Sequence, residues 1–170
     1  ANVGAGTVAL VSGVAHPSDA QGPLAAGLYS FQAHYNGDPN YDPVDSACEP
    51  LEVVKIPSEV VTQVRDANHT DITNQTVPTG TQVHDQATVL GAGPVPVPTG
   101  TVNFNLFSTI DCTGQFTTES GVPLNPSGQA ESTPFTPPVG PLSYLVTYSG
   151  DQSYLPSEGR CEPLEIRAVI

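Results

Sequence analysis

The sequence predicts an all-β protein built of antiparallel β-sandwich units, and three observations lead there. A chain interrupted by eighteen prolines and sixteen glycines, with many threonines and valines and neither methionine nor tryptophan, favours short strands and turns over helices. No stretch of roughly 11 residues shows a 3.6-residue apolar period, whereas several alternate with a period of two. Finally, the phrase "YNGDPNYDPVDSACEPLEV" at 35–53 returns as "YSGDQSYLPSEGRCEPLEI" at 148–166, so that Cys48 and Cys161 stand 113 residues apart. That spacing suits one compact unit able to bury its own core.

Residues 1–55 supply the last half of such a unit. "GTVAL" at 6–10 matches the region of Val122 and Leu124, so the first copy opens in mid-domain, and "LYSFQAHY" places Tyr29, Phe31, Ala33 and Tyr35 on one face. Half a sandwich exposes an apolar face and a strand edge, which is not expected to be stable alone. Its missing strands are expected from upstream in a longer array or from a neighbouring copy in an assembly.

Residues 56–170 read as a complete domain. "SEVVTQV" opens it, and the polar loop "DANHTDITNQTVPTG" follows, with turn residues at Pro78 and Gly80. "TQVHDQATVL" alternates, with Val83, Ala87 and Val89 on one face and Gln82, His84 and Thr88 on the other, while Asp85 breaks the pattern. "GAGPVPVPTG" carries too much proline for a central strand. In "TVNFNLFS", Val102, Phe104 and Leu106 point one way and Asn103, Asn105 and Phe107 the other. Shorter strands are expected around Val122 and Leu124 and from Gln129 to Pro134. "PLSYLVTY" then aligns Leu142, Tyr144, Val146 and Tyr148, and "CEPLEIRAV" closes the unit. Six or seven short strands at this spacing point to two packed antiparallel sheets.

Four Lys and Arg against seventeen Asp and Glu leave a net charge of −13, which repels a nucleic-acid backbone and an anionic membrane surface alike. No apolar run approaches the roughly 20 residues of a membrane helix, so no membrane insertion is expected of this segment.

Cys112, just after one strand, and Cys161, at the start of the last, are expected to form a disulfide, which implies an oxidising compartment. Closing a loop of about 50 residues contributes on the order of 4 kcal/mol on the chain-entropy model. Cys48 is left over. The repeat spacing puts its partner just ahead of Ala1, outside the chain, and the competing readings are an intermolecular disulfide or a free thiol.

The motifs "PTGTVNFNLFSTIDCTG", "LAAGLYSFQAHYNGDPNYDPVDSACEPLEV" and "VPTGTQVHDQATV" resemble the tandem immunoglobulin-like repeats of large secreted and cell-surface bacterial proteins, over nearly the whole chain. The resemblance implies an immunoglobulin-like sandwich repeated many times and acting as a stalk, spacer or adhesive fibre, without enzymatic activity and with no cofactor. The fold alone names no ligand.

Several residues are candidates for sites. In the two Gly-Asp turns, Gly37, Asp38 and Tyr41 and their counterparts Gly150, Asp151 and Tyr154 are expected to build the turn itself, glycine supplying the unusual backbone angle, Asp bonding the turn amides and Tyr packing back onto the sheet. A calcium site at Asp38, Asp42 and Asp45, with Glu49 in the same loop, is the sharper alternative, weakened because Asp42 and Asp45 become Leu155 and Glu158 in the second copy. "NHT" and "NQT" make Asn68 and Asn74 N-glycosylation candidates. His16, His34, His69 and His84 show no metal-ligand spacing, and His34 and His84 are placed on outward strand faces as ordinary surface residues. No nucleophile motif or phosphate cradle accompanies the Ser, His and Asp present.

The leading expectation is therefore a structural module, a stiff stalk or filament outside the cell, whose partners are neighbouring repeats of the same or an identical chain. The alternative is an adhesin-type recognition module binding a host protein or glycan through end loops or an edge strand, supported if aromatics such as Phe107 or Tyr154 form an exposed patch.

Overall fold

The computed structural model describes residues 4–92 and 96–168. Residues 93–95 of the proline-rich run and Val169 of the predicted closing strand lie outside these. The described residues contain strands and turns and no helix. They fall into two compact units, Ala1–Val53 and Val54–Ile170.

The first unit has four strands, β1 (Gly27–Phe31), β2 (His34–Tyr35), β3 (Val44–Asp45) and β4 (Glu49–Val53). β1 pairs with β4, and β2 with β3, both antiparallel. Tyr29, Phe31 and Tyr35 are half-buried while Leu28 on the opposite face is 83% exposed, so the expected alternation is present, although Ala33 is exposed. No described residue of this unit is buried. Residues 6–10 form no strand.

The second unit continues with β5 (Ser58–Asp66), β6 (Thr76–Pro78), β7 (Val83–Gly91), β8 (Thr101–Phe107), β9 (Phe116–Pro123), β10 (Gln129–Glu131), β11 (Gly140–Tyr148), β12 (Ser157–Glu158) and β13 (Glu162–Arg167). One sheet runs β10-β7-β5 and the other β6-β13-β11-β8-β9, with β12 on β11. Pairing is antiparallel except where β6 runs parallel to β13. Between the sheets, Val60 and Val64 of β5, Ala87 and Val89 of β7, and Val102 and Phe104 of β8 meet Val146 and Tyr148 of β11 and Leu164 and Ile166 of β13. Each Val, Leu, Ile or Phe among them contributes roughly 1.5–3 kcal/mol through the apolar area it removes from water.

Phe107 departs from the expected outward direction. It is 5% exposed, because it sits opposite Phe116 in the last cross-strand pair of β8 and β9, where the two rings pack 4.9 Å apart.

The two units share a register. In β1·β4 the pairs are Gly27↔Val53, Tyr29↔Leu51 and Phe31↔Glu49, and in β11·β13 they are Gly140↔Ile166, Leu142↔Leu164 and Tyr144↔Glu162, each 113 residues later. The small ribbons agree as well: His34↔Asp45 and Tyr35↔Val44 recur as Thr147↔Glu158 and Tyr148↔Ser157.

Candidate functional site

The repeated Gly-Asp turns have one geometry. Asp38 Oδ1 accepts the N–H groups of Asn40 and Tyr41 at 2.7 and 3.0 Å, and Asp151 Oδ1 accepts those of Ser153 and Tyr154 at 2.7 and 2.8 Å. Gly37 and Gly150 sit at φ +82° and +77°, where a Cβ would come within 2.8 and 2.9 Å of the Tyr41 and Tyr154 carbonyl oxygens. The hydrogen bond from Asn40, followed by that from the Tyr35 hydroxyl, holds the Asp38 carboxyl below the usual range. Burial pushes Asp151 up, but the N–H groups of Thr99, Ser153 and Tyr154 outweigh it and keep the group depressed.

The tyrosines part company. Tyr154 is 1% exposed, donates its hydroxyl to the Pro96 carbonyl at 2.9 Å and fills the space over Gly91, where a Cβ would overlap its ring. Tyr41 is 70% exposed and does not pack back as expected, because the first unit has no described counterpart of the β7 end and the Pro96 loop to receive it. With Tyr154 and Phe107 both buried, neither of the aromatics expected to mark a recognition patch is at the surface.

Cys112 and Cys161 are bridged, as the sequence indicates, with Cα atoms 5.8 Å apart. Such a bond fits an oxidising, non-cytoplasmic compartment. Cys48 is free and exposed. Ile56 is already fastened to the second unit: its N–H donates to the Ser153 carbonyl at 3.0 Å and its carbonyl accepts from Leu155 N–H at 2.9 Å. Only Val54 and Lys55 therefore separate β4 from that anchor.

The calcium candidates do not converge. Asp38 spends its oxygens on the turn and on Tyr35, and Asp45 bonds His34 Nδ1 at 2.7 Å. Asn68 and Asn74 are both exposed.

His84 overturns its assignment to the surface. It is 3% exposed in the middle of β7, opposite Arg65 of β5, and both ring nitrogens are buried without a hydrogen-bond partner. Burial holds its pKa below the ordinary value. The reason is the β5–β6 loop, whose His69 folds over the outer face of the sheet and packs edge-on to the His84 ring with centroids 5.0 Å apart. Glu131 on β10 completes the cluster, its Oε1 3.7 Å from His69 Nδ1. Among the described residues this is the one group of three or more His, Cys, Asp or Glu side chains whose ligand atoms converge. Linear spacing does not reveal it, because the three residues come from a loop and two different strands.

A second polar cluster lies inside the sandwich. Asp85 is fully buried on the same side as Val83 and Ala87, and Glu162 approaches it from β13. Burial first, and then the Glu162 charge, raise Asp85 well above the usual carboxylate range. Burial likewise raises Glu162 to about 7, against the lowering influence of Thr62 and Asp85.

Among the described residues no helix is long and apolar enough to cross a membrane. No protein-family model matches the chain, and no curated protein matches it either.

Proposed function

We propose that the chain is a structural, extracellular immunoglobulin-like repeat module, carrying parts of two consecutive copies within a stiff stalk or filament of a bacterial surface or secreted protein. The observation that carries this reading is the shared register, in which the strand pairs of β1 to β4 reproduce, pair for pair at 113 residues, those of β11, β12 and β13. Independent local collapse would not reproduce a register to the residue, because a slip of one residue turns every side chain to the other face.

Other features agree. The two-sheet arrangement, β10-β7-β5 against β13-β11-β8-β9 with β6 lying parallel to β13, supports the immunoglobulin-like reading. The junction at Val54 and Lys55 carries no flexible Gly-Ser run. A charge of −13 suits a solvated surface outside the cell. In this reading the half-buried face of Tyr29, Phe31 and Tyr35 is covered by strands of a neighbouring copy, in the same or an identical chain, and Cys48 pairs with that copy's cysteine. No catalytic role and no cofactor is proposed.

The test joins a second stretch of residues 54–113 ahead of Ala1, which restores the repeat phase. Two bridges, loss of the Cys48 thiol and protection of Tyr41 from solvent are the expected results. A Cys48 that still reacts with thiol reagents, beside an unfolded first unit, would sink the proposal. For the stalk itself, scattering from tandem copies should give a maximum dimension that grows linearly with copy number, and a compact particle would argue against it.

A further inference from the structure

We infer that His69, His84 and Glu131 form a binding site for a divalent first-row transition metal of the zinc type. Each residue offers one ligand atom, and these atoms lie within 4.8 Å of one another. A tetrahedral ion with bonds of about 2.0–2.1 Å sets its ligands roughly 3.3 Å apart, so the cluster closes by movements of about an ångström. The two exposed members, His69 and Glu131, have the freedom to make them.

The strongest single indication is His84. A buried imidazole with neither nitrogen bonded forgoes water at both and carries an unrecovered desolvation cost. An apolar side chain would fill the same space without that cost. A metal ion supplies what the pocket lacks, a partner for a buried nitrogen lone pair.

The other two ligands are positioned by their surroundings. His69 has φ +59°, its N–H donates to the Asp66 carbonyl at 3.0 Å, and its own carbonyl accepts Arg65 Nη1 at 2.6 Å. Asp66 Oδ1 also gathers the N–H groups of Asn68 and Thr70 at 2.8 and 2.9 Å, which fixes the loop on either side of His69. Glu131 Oε1 accepts from Gln86 Nε2 at 3.0 Å, an outer contact of the kind that orients metal-binding carboxylates.

Two imidazoles and a carboxylate form a borderline donor set, suited to zinc, cobalt or nickel rather than to calcium or magnesium, which require more oxygens. Asp66 and Glu131 favour a cation here, and Arg65 opposes it. Three protein ligands leave a fourth position for water. A bound ion would tie the β5–β6 loop to β7 and β10, clamping the outer face of the smaller sheet.

The experiment is a titration of the protein with zinc chloride near neutral pH, in a Cys48→Ser background that removes the exposed thiol, followed by calorimetry and by NMR of the histidine rings. One equivalent should bind, with the His69 and His84 signals shifting together. Affinity should fall at least about tenfold in His69→Ala and in Glu131→Ala, and stay unchanged in His34→Ala. Both affected side chains are exposed, so these variants keep the fold, which circular dichroism checks. Absence of saturable binding, equal affinity in His69→Ala, or loss of binding in His34→Ala would each overturn the assignment.

Discussion

Asp85 on β7 and Glu162 on β13 bring two carboxyl groups together inside the same sandwich, one fully buried and the other 8% exposed. Tyr144 of β11 and Thr62 of β5 close the space around them, and Asp71 adds its charge from the β5–β6 loop. Both groups hold a proton more tightly in the fold than in the open chain. Stability from Glu162 is therefore complete below its ordinary value of 4.5 and is lost as pH rises through about 7. Asp85 shifts in the same direction. The melting temperature should fall by roughly 4 °C or more between pH 5 and pH 8. Asp85→Asn keeps the shape, removes one titrating group and should flatten that slope. A wild-type melting temperature that rises over this interval contradicts the account.

The depressed carboxyls act in the opposite sense. Asp151, Asp38 and Asp66 hold their charge in turns and caps, so their contribution is present above their ordinary value of 3.8 and disappears on further acidification. With the buried pair, this places maximal stability near pH 5, measurable as a peak in melting temperature against pH.

Gly150→Ala and Gly37→Ala impose the same local strain at nearly the same φ. The first should lower the main unfolding transition by about 1–3 kcal/mol, because it distorts the turn that carries buried Tyr154. Gly37→Ala should leave that transition unmoved, since none of the described residues of its unit is buried. Denaturant titration of the two variants distinguishes them.

Tyr154→Ala and Tyr41→Ala form a parallel pair. Removing the buried ring should cost about 3–5 kcal/mol. Removing the exposed one should stay within about 0.5 kcal/mol. Equal losses would mean that Tyr41 is packed in solution.

Replacing both Cys112 and Cys161 with serine should lower stability by about 4 kcal/mol at most, because the bridge spans 49 residues. Thermal melts with and without reductant provide the measurement.

Much of the fold was legible because alternation reports burial directly. Val102 and Phe104, or Val146 and Tyr148, fall where their period-two pattern puts them. β6 was hidden, because Thr76–Pro78 lies in a polar loop, contains proline and is held by parallel pairing to a strand about 90 residues away. Asp85 looked like an interruption of the pattern and is instead its inward continuation, a polar residue retained in the core. The His69, His84 and Glu131 cluster was illegible for a different reason. His84 does alternate outward from Val83, but the outer face of β7 is not solvent there, because a loop remote in pattern covers it. Linear periodicity shows which way a side chain points and not what lies on top of it.

The bridge from Cys112 to Cys161 also sets how far this unit can be drawn out under tension. Force entering at one end of the unit and leaving at the other passes through the sulfur atoms and bypasses the chain between them, a sequence separation of 49. Fully extended, that span corresponds to roughly 160–175 Å of contour. An oxidised unit keeps that length in reserve even after its sheets come apart, and only reduction releases it.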